Sequence, residues 1–220
     1  MPTDTFFNLP EDKRRIILDR AIEEFADHNY NQASVSRIVA RAGIAKGSLY
    51  QYFTDKRDLY LYLLQLVADE KQTFLAAAQP PDPNGSIFDT LRWLFSHGMN
   101  FEFSNPRLAQ IGYRAIYGDA PLPDETKALL HDNSGRFFRP LIEQGMANGD
   151  IDPELDPELA AFLFNAVFTQ LGDYMLERLG VSAAELAAGN SRQLDQPEYW
   201  ALIEDLLAIL ERALSPQPVH

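Results

Sequence analysis

The chain has 220 residues, 46 % of them hydrophobic, a formal net charge of −13 and no cysteine. Disulfides, a thiol nucleophile and thiolate-bound metal are therefore excluded, and the length admits one large domain or two small ones with a real core. The opening MPTDTFFNLPEDKRR has acids and a proline where a signal peptide needs bases and an apolar run. With only short, interrupted apolar runs beyond it, the expectation is a cytoplasmic protein without a membrane partner.

Charge is unevenly placed along the chain. Up to Arg57 there are nine Lys and Arg against eight Asp and Glu; from Asp58 onward there are ten against twenty-four. Residues 34–53 carry Arg37, Arg41 and Lys46 and no acid. An acidic body repels a phosphate backbone, whereas a local basic face attracts one and orients its approach.

Helical periodicity runs throughout and no strand alternation appears, so the expected fold class is all-α. A first helix is expected from about Pro10 to His28, with Leu18, Ala21, Ile22 and Phe25 as its apolar stripe. A second follows Ser34 as N-cap, presents Val35, Ile38, Val39 and Ala42, and ends at Gly43 as a left-handed C-cap. A third, very short, covers about 46–53. A long fourth runs from about 55 to 78, with Leu59, Leu63, Leu66 and Val67 inward. The stretch QPPDPNG (79–85) reads as a linker. Helices are then expected at about 86–103, 106–118, 122–147, 156–179 and 196–214, with a short turn of helix near 183–188. This divides the chain into a three-helix helix-turn-helix domain (1–54) and a helical domain (55–220) that begins with a connector helix (55–78).

The segment GIAKGSLYQYF (43–53) concentrates the chemistry. Gly43 supplies the tight turn of a helix-turn-helix, Ile44 and Leu49 face inward, and Phe53 closes the unit against the first helix. Lys46, Ser48, Gln51 and Tyr52 are left outward, with Tyr50 near the same edge. Lys46 can reach guanine O6 or N7 or a phosphate, and Gln51 can pair with an adenine edge. The N–H groups around Lys46, Gly47 and Ser48 suit a phosphate oxygen, and Gly47 permits close approach. The hydroxyls of Tyr50 and Tyr52 can donate to phosphates, Lys56 is placed to clamp the backbone, and Ser34 can both cap its helix and offer a hydroxyl. The competing reading makes Tyr50 and Tyr52 half-buried packing residues and Lys46 a solvated charge. The ordered sequence of turn, glycine, apolar positions and polar set favours the reading helix.

From about Arg15 to Val67, the stretches IILDRAIEEF and SVSRIVARAGIAKGSLYQYFTDKRDL resemble the DNA-binding domain of the TetR family of transcriptional regulators. The resemblance implies DNA contacts at Lys46, Gly47, Ser48, Tyr50, Tyr52 and Lys56, with Gln51 at a variable position. Two residues depart from the pattern. Val39 stands where alanine is usual, which would set the two helices slightly apart; Ala45 replaces a frequent serine and removes a side-chain cap. The resemblance further implies a C-terminal ligand-binding and dimerisation domain, and no cofactor.

Residues 159–176 are apolar almost all round, so that helix needs two neighbours. With the broad apolar face of 199–214 it is expected to pair with its copies in a homodimer, through Phe164, Phe168, Leu171, Met175, Trp200, Ile203, Leu207 and Leu210. The alternative is a central helix buried in a monomer. Aromatics are dense between the connector and this region. Most are expected to be ordinary core, but Trp93, His97, Phe101, Tyr113, Arg114, Tyr117, Phe137, Phe164 and Phe168 are candidates to line a pocket for a small, largely apolar effector.

Catalysis finds little support. His28, His97, His131 and His220 are scattered without ligand spacing, and neither a P-loop nor a dinucleotide-binding glycine pattern is present. DIDPELDPE lacks the glycine and terminal glutamate of a calcium loop and reads as a capped turn. The expected function is therefore a sequence-specific, ligand-responsive transcriptional repressor. It would bind a palindromic double-stranded DNA operator as a dimer, with the effector signal passing through the connector. The alternative is an all-helical interaction module without DNA binding, and neither reading makes the protein an enzyme.

Overall fold

Apolar residues spaced three and four apart leave little room for strands, and among the described residues every regular element is a helix. The structure, a computed structural model, describes residues 2–79, 81–82, 84–117, 138–187 and 194–216. In chain order the helices are α1 (Asp4–Phe7), α2 (Glu11–Asp27), α3 (Val35–Ala42), α4 (Lys46–Tyr52), α5 (Lys56–Ala77), α6 (Ile87–Ser104) and α7 (Pro106–Tyr117). Then come α8, described over 138–148, α9 (Pro157–Leu179), α10 (Ala183–Ala187) and α11 (Pro197–Leu214). Most bounds lie within a residue or two of those expected. The helix expected at 122–147 is described only from 138, and Phe137 lies outside the described residues.

Local chemistry sets the ends. Ser34 accepts from the Arg37 N–H at the start of α3, and Gly43 takes the left-handed conformation (φ 67°, ψ 30°) that closes it. Ala45 precedes α4 without a side-chain cap. At the start of α5, Asp55 Oδ1 accepts from the Asp58 N–H at 2.8 Å while Asp58 Oδ2 accepts from the Thr54 N–H at 3.0 Å, a reciprocal cap. The acidic stretch before α9 is a capped turn: Asp156 Oδ1 accepts from the backbone N–H groups of Glu158 and Leu159.

The chain divides into two compact units. The first comprises the described residues of Met1–Phe74, Phe101–Pro123 and Ala183–Ser191. Its core gathers Phe6, Ile17, Ala21, Phe25, Ile38, Leu49, Phe53, Leu59, Tyr60 and Leu63, joined by Ile111 and Ala115 of α7. Helix α2 has no basic residue in its last turn. Arg114 of α7 supplies the missing charge: its Nε donates to the Ala26 carbonyl at 3.1 Å and its Nη2 to the Asp27 carbonyl at 3.4 Å. Arg107 adds an ion pair to Glu23 at 3.2 Å.

The second unit comprises the described residues of Leu75–Asn100, Asp124–Ser182 and Arg192–His220. Asp150 Oδ2 caps α6 by accepting from the Ile87 N–H at 3.0 Å. Gly145 of α8 lets the chain close tightly, since a Cβ there would lie 3.0 Å from Ile87 Cδ1 and 3.2 Å from the Ile151 side chain. Arg92 of α6 reaches Glu204 at 2.9 Å and Glu211 at 3.4 Å on α11. By length and composition α9 could cross a membrane, a weak signal that core helices also give. Here Ala160, Phe164, Met175 and Leu176 bury one of its faces.

Helix α1 leaves no periodic signature in the sequence. Four residues are too few to show a helical period, so Phe6 and Leu9 alone do not mark a helix there.

Candidate nucleic-acid interface

The platform beneath α4 is organised by a buried acid. Glu24 sits on the inner side of α2, fully enclosed. Its Oε1 accepts from Arg37 Nη2 at 2.5 Å, from Arg37 Nε at 2.9 Å and from the Ser34 N–H at 2.8 Å. Arg41 approaches Oε2 at 3.8 Å and His28 Nδ1 approaches Oε1 at 3.7 Å. Burial pushes the Glu24 carboxyl up, but the Arg37 hydrogen bonds, the Ser34 N–H and the charges of Arg37 and His28 outweigh it. The net position is below the usual carboxylate range, so Glu24 is ionised. One consequence corrects the charge reading: two of the three cations in residues 34–53 lean on this carboxylate. Lys46, exposed at the start of α4, has no ion pair among the described residues.

Helix α4 inserts Leu49 into the core, leaving 2 % of it exposed. The opposite edge presents Lys46, Gly47, Tyr50 and Gln51 as exposed residues, with Ser48 half-buried. Tyr50 is 47 % exposed. A Cβ on Gly47 would meet nothing within 4 Å in the chain, so the surface there is open to an external group.

Tyr52, Lys56 and Ser34, expected at the DNA, also make contacts within the chain. Tyr52 is only 5 % exposed, its ring 5.9 Å from that of Phe6. A seven-residue helix that buries Leu49 must also bury the residue three positions on. Lys56 donates from Nζ to the Ala33 carbonyl at 2.9 Å and lies 4.4 Å over the Tyr30 ring. It therefore buttresses the entry to α3. Phe53 packs on Phe6 and Tyr62, at 4.9 and 5.8 Å between ring centres, as its ring partners. Ser34 is half-buried as an N-cap.

The expected effector residues fall into both compact units. Phe101, Tyr113, Arg114 and Tyr117 belong to the first. There Phe101 packs on Phe74 at 5.5 Å, Tyr113 donates to Glu102, Tyr117 stacks on Tyr113 at 6.5 Å, and Arg114 is committed to α2. Glu102 also pairs with Lys71 at 3.0 Å. In the second unit, Phe168 lies 5.3 Å from Phe95, 5.0 Å from Phe138 and 5.8 Å from Phe164. Trp93 stacks on His97 at 4.5 Å, and its buried Nε1–H has no acceptor among the described residues.

The expected dimer residues are largely interior to one chain. Phe164, Met175, Ile203, Leu207 and Leu210 are buried, and Phe168, Leu171 and Trp200 are half-buried. The exposed apolar residues of α9 are instead Leu159, Phe162, Leu163 and Tyr174, with Ile209 on α11. A helix apolar on two faces does not reveal from periodicity which face its own chain covers.

Sequence reasoning missed Glu24, Thr3 and Phe6. Glu24 had a faint signal, a carboxylate inside the stripe of Ala21 and Phe25, followed by Arg37 and Arg41 one turn apart.

A short helix set on a buried platform by a glycine turn, with an exposed polar edge, in a chain whose described regular elements are all helices, defines a helix-turn-helix DNA-binding regulator. Residues 17–63 match the family described as "Bacterial regulatory proteins, tetR family", and residues 85–215 match "Tetracyclin repressor-like, C-terminal domain". The chain belongs to the TetR family of transcriptional regulators, with a DNA-binding N-terminal domain and a ligand-binding C-terminal domain. A solved TetR family regulator from Chloroflexus aurantiacus J-10-fl is 48 % identical, over 99 % of this chain and 100 % of that one, with a TM-score of 0.67. The A-factor receptor protein of Streptomyces griseus is 28 % identical over 70 % of this chain, which spans only 52 % of that relative's length. The regulator FadR of Bacillus subtilis, solved in complex with stearoyl-CoA, shares the fold at 18 % identity. That match covers 91 % of this chain and 98 % of FadR, with a TM-score of 0.60.

Among the described residues no group of three or more His, Cys, Asp or Glu is arranged to hold a metal.

Proposed function

We propose that this protein is a ligand-responsive repressor that binds a near-palindromic operator as a homodimer in the bacterial cytoplasm, where the chromosome lies. The observation that carries the reading is the edge of α4: Lys46, Gly47, Tyr50 and Gln51 lie exposed on a helix whose other side is locked into the core. Lys46 and Gln51 read base edges, Gly47 and Ser48 admit a phosphate, and Tyr50 donates to the backbone. Ser34, Tyr52 and Lys56 hold the helix at its angle. No catalytic step belongs to this reading.

Two half-sites about 34 Å apart, or a multiple of that, call for two reading helices. The exposed Leu159, Phe162, Leu163 and Tyr174 of α9, with Ile209 of α11, favour the second copy. The effector is taken to be small and largely apolar, with a hydrogen-bond acceptor for the Trp93 Nε1–H. Support comes from that unpaired donor and from the Phe95, Phe138, Phe164 and Phe168 cluster in the same unit. The ligand shifts DNA binding only by its differential affinity for two conformers.

The test is selection of genomic fragments by the purified protein, followed by titration of the recovered duplex at several salt concentrations. The expected result is a palindromic site whose affinity falls steeply with salt. Failure to retain any duplex, even at low salt, would overturn the reading and favour the interaction module.

A further inference from the structure

Helix α4 is a poor helix by its own resources. It has seven residues, no side-chain N-cap and a glycine in its first turn. Its last carbonyls need partners that the helix cannot supply. The structure provides them from residues far away in the sequence. The Thr3 N–H donates to the Tyr52 carbonyl at 2.9 Å, and the Thr3 hydroxyl donates to the Gln51 carbonyl at 2.6 Å. Three residues on, Phe6 is completely buried, with ring centres 5.9 Å from Tyr52, 4.9 Å from Phe53 and 5.9 Å from Tyr62. Thr3 thus holds the C-terminal carbonyls while Phe6 wedges beneath the same end.

We propose that Thr3 and Phe6 form a clasp that sets the pitch of the recognition helix, making them positioning residues for DNA reading. The proposal rests on the DNA-binding role given above. The two anchors act on different freedoms of the helix. Phe6 fixes how deeply the end of α4 sits, and Thr3 fixes its rotation through two adjacent carbonyls. Gln51 supplies one of the two clasped carbonyls, and Tyr50 lies one residue before it. A small rotation there sweeps their side chains across the reading edge, while Lys46, at the other end of α4, moves less. The clasp therefore bears on base discrimination more than on phosphate attraction.

The experiment compares the parent, Thr3→Val, Thr3→Ser and Phe6→Leu, all as full chains. It measures affinity for the selected operator and for random duplex, and hydrogen exchange at the amides of residues 46–53. Thr3→Val keeps the backbone N–H and the side-chain shape and removes only the hydroxyl. It should lose about two- to tenfold in operator affinity, the net worth of one hydrogen bond, with random-duplex affinity and salt slope unchanged. Exchange should quicken in α4 and not in α2. Thr3→Ser should restore both readouts, and Phe6→Leu, which keeps an apolar wedge of different shape, should cut operator affinity without unfolding the chain. Equal loss on operator and random duplex, or unchanged exchange in α4, would show that Thr3 acts by direct contact or not at all, and would overturn the proposal. A parent that retains no duplex refutes the DNA-binding role instead, and the exchange data still decide whether the clasp holds the helix.

Discussion

Glu24, enclosed on α2, is joined to Arg37, half exposed on α3, through two nitrogens of one guanidinium. The pair spans the crossing of those helices, and the same Glu24 oxygen takes the N–H of Ser34, the N-cap of α3. A single carboxylate thus sets both the angle of α3 and its starting point, and α4 inherits its position from α3 through the Gly43 turn. Removing the charge while keeping the shape, as in Glu24→Gln, should cost about 2 kcal/mol, less than a wholly buried pair because Arg37 faces water. Urea unfolding of the variant measures this; a midpoint equal to the parent's refutes the organising role.

Acid should act through the same group. Its folded-state pKa lies below the ordinary range, because the Arg37 hydrogen bonds, the Ser34 N–H and nearby positive charge outweigh burial. Its stabilisation is therefore fully present above the unfolded-chain value of about 4.3, and is lost as pH falls through the lower folded value. Urea midpoints of the parent and Glu24→Gln should differ at neutral pH and converge as the pH falls below the ordinary carboxylate range. A gap that persists at acid pH assigns the effect to shape.

The two lysines flanking α4 should behave differently. Lys46→Ala should leave stability within about 0.5 kcal/mol, lower operator affinity, and reduce the salt slope by about one if the residue meets a phosphate. Lys56→Ala removes the bond to the Ala33 carbonyl and the contact over Tyr30, so about 1–2 kcal/mol of stability should go with it. Thermal unfolding and duplex titration on both variants separate the roles. Lys46→Ala binding like the parent would remove it from the reading edge.

Gly43 provides a conformational test. Its φ of 67° is strained for any residue with a Cβ, yet the added atom would meet nothing within 4 Å. Gly43→Ala should therefore cost about 1 kcal/mol through backbone strain alone, and Gly43→Asn less. Equal losses for both would point to the side chain and away from the dihedral.

Phe162 and Phe164, two residues apart on α9, should give opposite phenotypes. Phe162 is 66 % exposed and Phe164 is fully buried. Phe162→Glu should yield a folded monomer by light scattering, while Phe164→Ala should lose about 3–5 kcal/mol of stability. A Phe162→Glu protein that keeps a dimer's mass removes this face from the interface.

The helices, their ends and the reading segment were legible from the chain because each depends on neighbours within a turn or two. Ser34 caps, Gly43 turns, and the alternation of Leu49 with Lys46, Ser48 and Gln51 is a property of one helical period. Glu24 was harder, since a carboxylate inside an apolar stripe becomes intelligible only once Arg37 is brought against it. Arg114 was expected at a ligand and is found at the end of α2, because a guanidinium in a polar set carries no mark of which acceptor the fold will offer. Most of the residues expected at a dimer interface are buried within one chain for a related reason: α9 is apolar on two faces, and periodicity ranks neither.

What the amino-acid order determined alone is the local part: an all-helical chain, a glycine turn and a short helix bearing a polar edge. Tertiary structure decided what surrounds that edge, namely that Tyr52 is inside, that Lys56 braces α3, and that Thr3 and Phe6 hold a helix 48 residues away. The division follows from range. Propensity and capping act between residues close in sequence, whereas burial and long-range hydrogen bonds exist only after distant segments have met.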